Sequence, residues 1–315
     1  MSFPQPHERP PAPASPARRR LAGAPISWGV CEVPGWGRQL PPDRVLAEMA
    51  GLGLSATELG PPGYLPVEPT LLRDRLAAAG LRLVGGFVPL VLHEPSAATA
   101  RADADRIAAL LAAAGADTFV LAVVADAASS PPPALDAAAW RRVAGHIAEI
   151  DALVAGHGLV LALHPHAGTL LERADDLERA LGLTEVGWCL DSGHLVIGGW
   201  DPVDFARDHG ERIVHVHLKD VDATLAAQVR DGELSLVRAT QAGLFRPLGQ
   251  GDARIDEVVH LLDERGYERW LVLEQDTAIT GQEPPVGRGP VLDVQASIEY
   301  LSQLAPQRGE KVHPS

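Results

Sequence analysis

Eight short apolar runs alternate with longer Ala/Leu/Arg/Glu-rich stretches of helical character along this chain. The runs are GAPISW (23–28), SATELG (55–60), LRLVGGFVPL (81–90), TFVLAVVA (118–125), LVLALHPH (159–166), VGWCLDSGH (186–194), IVHVHLKD (213–220) and WLVLEQD (270–276). Helices are predicted to begin near Pro42, Thr70, Ser96, Ala137, Ala174, Pro202, Ile255 and Val291. Strands that are apolar throughout need cover on both faces, and helices joining parallel strands provide it. Eight such units favour closure into a single (β/α)8 barrel, the TIM-barrel architecture, over an open sheet. The stretch after the first run, GVCEVPGWG, also lacks the G-x-G-x-x-G spacing of a doubly wound dinucleotide fold.

The length of 315 residues fits one such barrel with tails, since the fold uses ~250 residues. The expected division is a tail over 1–20, a catalytic barrel over 21–306 and a second tail over 307–315. A net charge of −14 argues against nucleic acid as a partner, because phosphate binding needs clustered Lys and Arg. No apolar run reaches the ~18 residues of a membrane span. The opening MSFPQPHERPPAPASPARRRL has no apolar core of signal-peptide length. Two distant cysteines, Cys31 and Cys189, form neither a disulfide framework nor a Cys-rich zinc site, and a cytoplasmic location is expected.

In a barrel of this kind the C-terminal strand ends form the active-site face. The second run carries Glu58, the fifth His164 and His166, and the sixth Asp191 and His194. The seventh carries His215, His217, Lys219 and Asp220, and the eighth Glu274 and Asp276. Six of the twelve histidines fall between 164 and 217. By the two-residue period of a strand, His215 and His217 share a side, as do His164 and His166. Asp191, His217 and Glu274 can then converge above the barrel centre, with the fifth strand supplying the fourth side of the ring. Three uncompensated polar groups there would cost roughly several kcal/mol. Mixed carboxylate and imidazole ligands suit a divalent metal. Without thiolates, Mn2+ or Co2+ is favoured, with Zn2+, Fe2+ or Mg2+ as alternatives. His215 equally fits a hydrogen-bonded core residue. Glu58 fits a partner behind the site, a substrate contact or a rim acid paired with an arginine. Lys219 fits either a substrate contact or a solvated strand end.

CLDSGH, HVHLKD and LVLEQD resemble the metal-dependent sugar isomerase/epimerase superfamily, TIM-barrel relatives of endonuclease IV. APISWG, TELG, LHPHAGT, LDSGH, HVHLKD, LFRPLGQGD and VLEQD, in that order, are most similar to its inosose dehydratases. The resemblance spans about residues 22–305. It implies a metal held from strands five to eight by Glu, Asp, His and Glu. Asp191, His217 and Glu274 match three of these, and His164 stands where many epimerases have the first Glu. The implied activity is dehydration of 2-keto-myo-inositol or a related keto-polyol through an enediolate. A sugar isomerase or epimerase on the same metal is the alternative. Glu274 is then ligand and base. His164 and His166 are candidates for fourth ligand and general acid, in that order. His194, Lys219, Glu58 and Trp28 are assigned to the substrate, a small polyol or sugar. Residues 221–250 form an insert after strand seven, expected to be a helical lid or else a peripheral or dimer-contact helix. A homo-oligomer stays open.

Overall fold

Proline and glycine set the edges of the strands. The computed structural model of the chain describes residues 20–125 and 134–304. Its strands are β1 (Arg20–Gly23), β2 (Ala56–Glu58), β3 (Arg82–Gly85), β4 (Phe87–Val91), β5 (Thr118–Val124), β6 (Val160–Leu163), β7 (Gly187–Asp191), β8 (Ile213–Leu218), β9 (Asp220–Val221), β10 (Phe245–Arg246) and β11 (Trp270–Leu273). Nine of them form one parallel sheet in the order β3-β2-β1-β11-β8-β7-β6-β5-β4. β9 and β10 make a small antiparallel ribbon apart from it.

β3 and β4 are the two halves of the third run, parted at Gly86. Asp117 N donates to Val84 O at 3.3 Å and Val120 N to Gly86 O at 3.1 Å, so both halves lie against the β5 edge. Nine strands therefore fill eight positions, and the sheet closes into a (β/α)8 barrel. The Gly85-Gly86 pair permits this close approach. A Cβ on Gly85 would stand 2.9 Å from Thr118 O, and one on Gly86 would stand 3.1 Å from Leu59 Cβ.

Among the described residues eight outer helices cover the barrel: Pro42–Gly51, Pro69–Ala78, Ala98–Ala113, Ala137–Gly156, Ala174–Leu183, Pro202–His209, Ile255–Glu264 and Pro290–Gln303. Four open on proline at the first helical position, where the missing N–H costs nothing. Among the described residues no helix is long and apolar enough to cross a membrane.

The first run is displaced from its expected place. The strand is Arg20–Gly23, and Pro25–Trp28 is a 3-10 turn ending on Gly29 at φ 79°. Pro25 has no N–H for a sheet ladder, so the chain turns there. Arg20 pairs with Trp270, so the barrel begins inside the expected tail. The remainder of both tails lies outside the described residues. The sixth run also ends early, at Asp191. The Asp191 carboxylate accepts from His194 N at 2.9 Å, capping the helix Ser192–Gly198.

That helix packs its last residue on the backbone of the loop between β6 and the helix Ala174–Leu183. A Cβ on Gly198 would stand 2.0 Å from Glu172 O, and neither backbone can yield. Gly198→Ala is expected to cost about 3 kcal/mol. A urea melt should show the lowered midpoint, and an unchanged midpoint would contradict this packing.

Candidate active site

Strand ends on several sides of the barrel deliver the polar residues to one place. Glu58 ends β2, His164 directly follows β6, Asp191 ends β7, His217 is penultimate in β8 and Glu274 directly follows β11. His217 is the hub. Its Nδ1 lies 3.2 Å from Glu274 Oε2 and 3.5 Å from Asp191 Oδ2, and its Nε2 lies 3.0 Å from Glu58 Oε1. His164 Nε2 lies 3.2 Å from Asp191 Oδ2. Asp191 is fully buried, and Glu274 is the most open of these five at 8% exposure.

One ligand atom each from Asp191, His217 and Glu274 lie within 4.8 Å of one another. His217 Nδ1 is buried and makes no well-angled hydrogen bond, although two carboxylate oxygens face it. Such separations suit ligands gathered around a cation at ~2.0–2.2 Å. The mixed oxygen and nitrogen donors fit a divalent first-row ion. Two other clusters share His217, one with Glu58 and His215 and one with His164 and Cys189. In the first, both imidazoles already donate to Glu58, at 2.7 and 3.0 Å. In the second, burial pushes the Cys189 thiol up to about 11, which disfavours the ligating thiolate.

Charge in the site is tightly paired. Lys219 Nζ lies 2.8 Å from Asp276 Oδ1, 3.1 Å from Glu274 Oε2 and 3.5 Å from Asp191 Oδ2. Burial opposes the ammonium, but Asp191, Asp276 and Glu274 outweigh it and hold Lys219 charged. Burial likewise opposes the His217 imidazolium, and the surrounding anions raise its pKa well above the usual histidine value. Against its own burial, Glu274 is brought down to about 2 by His217 and Lys219. Asp191 is held well below the usual carboxylate range by Lys219, His194, His164 and His217, again against burial. Asp276 goes the other way, to about 6, because burial and Glu274 outweigh Lys219.

A cavity of about 890 Å³, counting its open mouth, stands over these groups. Glu58, His164, His166, His217, Lys219, Glu274 and Asp276 face it. Ile26, Val30, Val33, Trp36, Phe87 and Leu236 supply apolar wall. Two residues assigned to the substrate lie elsewhere. Trp28 is fully buried and donates from Nε1 to Glu48 Oε2 at 2.8 Å, away from the cavity. The turn at Pro25 redirects it. His194 sits behind His166, ring centroids 3.8 Å apart, accepts from Ala167 N at Nδ1 and places Nε2 3.1 Å from Lys219 Nζ. The helix that starts at Ser192 carries it there. His166 faces the cavity, but its Nδ1 lies 2.7 Å from Ala167 O. A carbonyl only accepts, so the proton is on Nδ1 and Nε2 keeps a lone pair. Burial first, then His164 and Lys219, push His166 down to about 3. This histidine is an acceptor at neutral pH, contrary to the general-acid role expected for it.

The insert does contain helices, Ala223–Arg230 and Leu236–Gln241. Leu236 reaches the cavity, and Gln241 Nε2 donates to Gly35 O at 2.9 Å and Trp36 O at 3.2 Å. The insert thus closes against the loop that follows β1. The loop after β11 joins them, because Trp36 Nε1 donates to Thr277 O at 2.8 Å. Asp220 anchors the return of the insert. Its buried carboxylate accepts from the backbone N of Gly249 (2.8 Å), Gly251 (2.9 Å), Ala253 (3.0 Å) and Val221 (3.1 Å). Asp220→Ala strands those donors and is expected to cost about 3 kcal/mol. A fall in thermal midpoint, with proteolysis beginning between 221 and 253, would be the readout; wild-type resistance would contradict it.

Phe87, Asp276, Cys31 and Leu236 also line the cavity, and the sequence motifs give none of them a role there. Asp276 had the signal, an acid two residues beyond Glu274. Phe87 had a weaker one, the glycine pair before it that breaks the strand.

The family described as Xylose isomerase-like TIM barrel matches residues 46–304. The chain is 31% identical over 304 residues to the rhizopine catabolism protein MocC of Rhizobium meliloti, covering 92% of this chain and 90% of that protein. It is 28% identical over 298 residues to an inosose dehydratase of Geobacillus kaustophilus, covering 90% and 94%. Among solved structures, an L-ribulose 3-epimerase superposes with a TM-score of 0.66 at 16% identity, covering 90% of this chain and 94% of that one. The probable 3-DHS dehydratase AsbF of Bacillus anthracis superposes with a TM-score of 0.65 at 16% identity, covering 90% and 99%. At that identity the structural likeness speaks to the fold alone.

Proposed function

The chain belongs to the Xylose isomerase-like TIM barrel family, and from that premise we propose that it is a metal-dependent dehydratase of an uncharged keto-polyol, with 2-keto-myo-inositol as the leading substrate. The observation that carries the substrate class is the charge of the cavity. Among the described residues Lys219 is the one Lys or Arg on its wall, and Asp191, Glu274 and Asp276 already surround it. A phosphate or carboxylate group reaching beyond the metal would meet no unpaired side-chain cation among the described residues of that wall. Hydroxyls would find acceptors in His166, Glu58 and Asp276, and a flat apolar contact in Phe87. The similarity to inosose dehydratases supports the same class.

Asp191, His217 and Glu274 would hold the metal, with His164 beside them. When bound, such an ion supplies a positive charge next to the ketone oxygen and acidifies the neighbouring C–H. Glu274, anionic and the most open of the cluster, takes that proton and leaves an enediolate. The β-hydroxyl then departs as water, carrying a proton from the Lys219 ammonium, as a C=C bond forms. Lys219 Nζ and Glu274 Oε2 are 3.1 Å apart, so the captured proton returns directly to the amine and resets both groups. Lys219 replaces the histidines as acid because His166 has no proton on its free nitrogen and the His164 Nε2 proton is engaged by Asp191.

A second reading, isomerisation or epimerisation, is favoured by one feature. Glu58 and Glu274 both face the cavity from different strands, as a two-base exchange would need. The substrate class is tested with a panel of keto-inositols and keto-sugars, each neutral and phosphorylated, supplied with Mn2+ or Co2+. Turnover confined to neutral compounds is expected. Preference for a phosphorylated member would overturn the charge argument.

A further inference from the structure

Glu58 reaches His217 from across the barrel. It ends β2, and the sheet order β2-β1-β11-β8 places two strands between them. The β1 strand leaves that route open. A Cβ on Gly23 would meet Leu54 at 3.1 Å and Met49 at 3.3 Å, so Gly23 faces the helix layer. Ala22 and Ala24 then face the interior by alternation, and neither has bulk to block a glutamate.

A single oxygen, Glu58 Oε1, lies 2.7 Å from His215 Nε2 and 3.0 Å from His217 Nε2. A carboxylate oxygen accepts and cannot donate. Both imidazoles must therefore carry a proton on Nε2. For His217, an imidazolium without metal, this decides which proton an arriving ion can displace, the one on Nδ1. Nδ1 is the one that faces Asp191 and Glu274, at 3.5 and 3.2 Å, without a well-angled hydrogen bond. With the opposite tautomer, a lone pair on Nε2 would face the Glu58 anion, and Nδ1 could not ligate. His215, directly below on the same side of β8, holds the carboxylate from its other lone pair, so Glu58 cannot swing toward the cavity without losing a bond.

We propose that Glu58 is a positioning residue, which with His215 pins the Nε2–H form of His217 and so presents Nδ1 to the metal. The consequence for metal rests on the metal reading above; the pinning itself rests on hydrogen-bond chemistry alone. Hydrogen-bond partners of this kind typically change metal affinity by about ten- to hundred-fold when removed.

The test uses the full chain stripped of metal, titrated with Co2+, beside E58Q and E58A. Histidine tautomers are read by 1H–15N spectroscopy on 15N-histidine protein, both metal-free and loaded with diamagnetic Zn2+. In Zn2+-loaded wild type, His217 should show a slowly exchanging Nε2 proton and an unprotonated Nδ1. E58A should bind Co2+ about ten- to hundred-fold more weakly and lose the slow exchange. E58Q, whose amide oxygen still accepts one N–H, should fall between. Unchanged Co2+ affinity with an unchanged Nε2 signal would overturn the proposal, as would ligation through Nε2. If two stranded imidazoles keep E58A from folding, E58Q carries the same test. Failure of wild type to take up Co2+ would instead overturn the metal reading. In that case the exchange of the His217 Nε2 proton in the metal-free chain, slow in wild type, faster in E58Q and fastest in E58A, still decides the role of Glu58.

Discussion

Glu274→Gln, compared at equal metal occupancy, is expected to lose at least about 10³-fold in dehydration and to stop exchanging the substrate α-hydrogen with deuterated solvent. The amide keeps the shape of the side chain and one oxygen donor, but it cannot accept the C–H proton. Lys219→Met should behave differently. It removes the proposed acid while leaving the base, so dehydration falls and exchange persists. The two variants together separate proton abstraction from loss of hydroxide. Lys219 also neutralises three carboxylates, so its variant must be shown to be folded by circular dichroism. Wild-type exchange by fully metallated Glu274→Gln would place the base elsewhere, with Glu58 the next candidate.

The second large effect concerns the ligands themselves. Asp191→Asn and His217→Ala should each lower metal affinity by at least about 100-fold and abolish most activity. The barrel should survive, since its core does not depend on residues at the catalytic rim. Asn is chosen over Ala because Asp191 Oδ1 also caps the helix Ser192–Gly198 through His194 N. Removing that cap costs about 1 kcal/mol on its own and would blur the result. Elemental analysis and circular dichroism on each variant are sufficient. Full metal retention with lost activity would move the residue out of the ligand set.

The barrel was legible because strand and helix periods differ so clearly in this chain. All eight outer helices begin within a few residues of the positions read from composition. Boundaries failed where local chemistry overrode apolar pattern. Pro25 turned an expected strand into a 3-10 turn and carried Trp28 into the helix layer. Asp191 acted as a helix cap and took His194 behind the cavity wall. Neither event changes hydropathy, so a reading of apolar runs could not register it. The convergence of Asp191, His217 and Glu274 was legible because each sits at a strand end, where the fold alone dictates position. The tautomer of His166 was not, because it depends on a carbonyl one residue away, Ala167 O. The link from Glu58 to His215 and His217 joins residues 157 and 159 apart in sequence, and only the closed barrel reveals it.

Everything proposed for this site turns on the removal of water from a neutral keto-polyol. It is tested most directly by incubating the metal-loaded chain with 2-keto-myo-inositol and weighing the product by mass spectrometry. The product should be lighter than the substrate by one water, formed with Mn2+ or Co2+ and suppressed by chelation. A product of unchanged mass but altered stereochemistry or carbonyl position would contradict dehydration and establish the isomerase reading in its place.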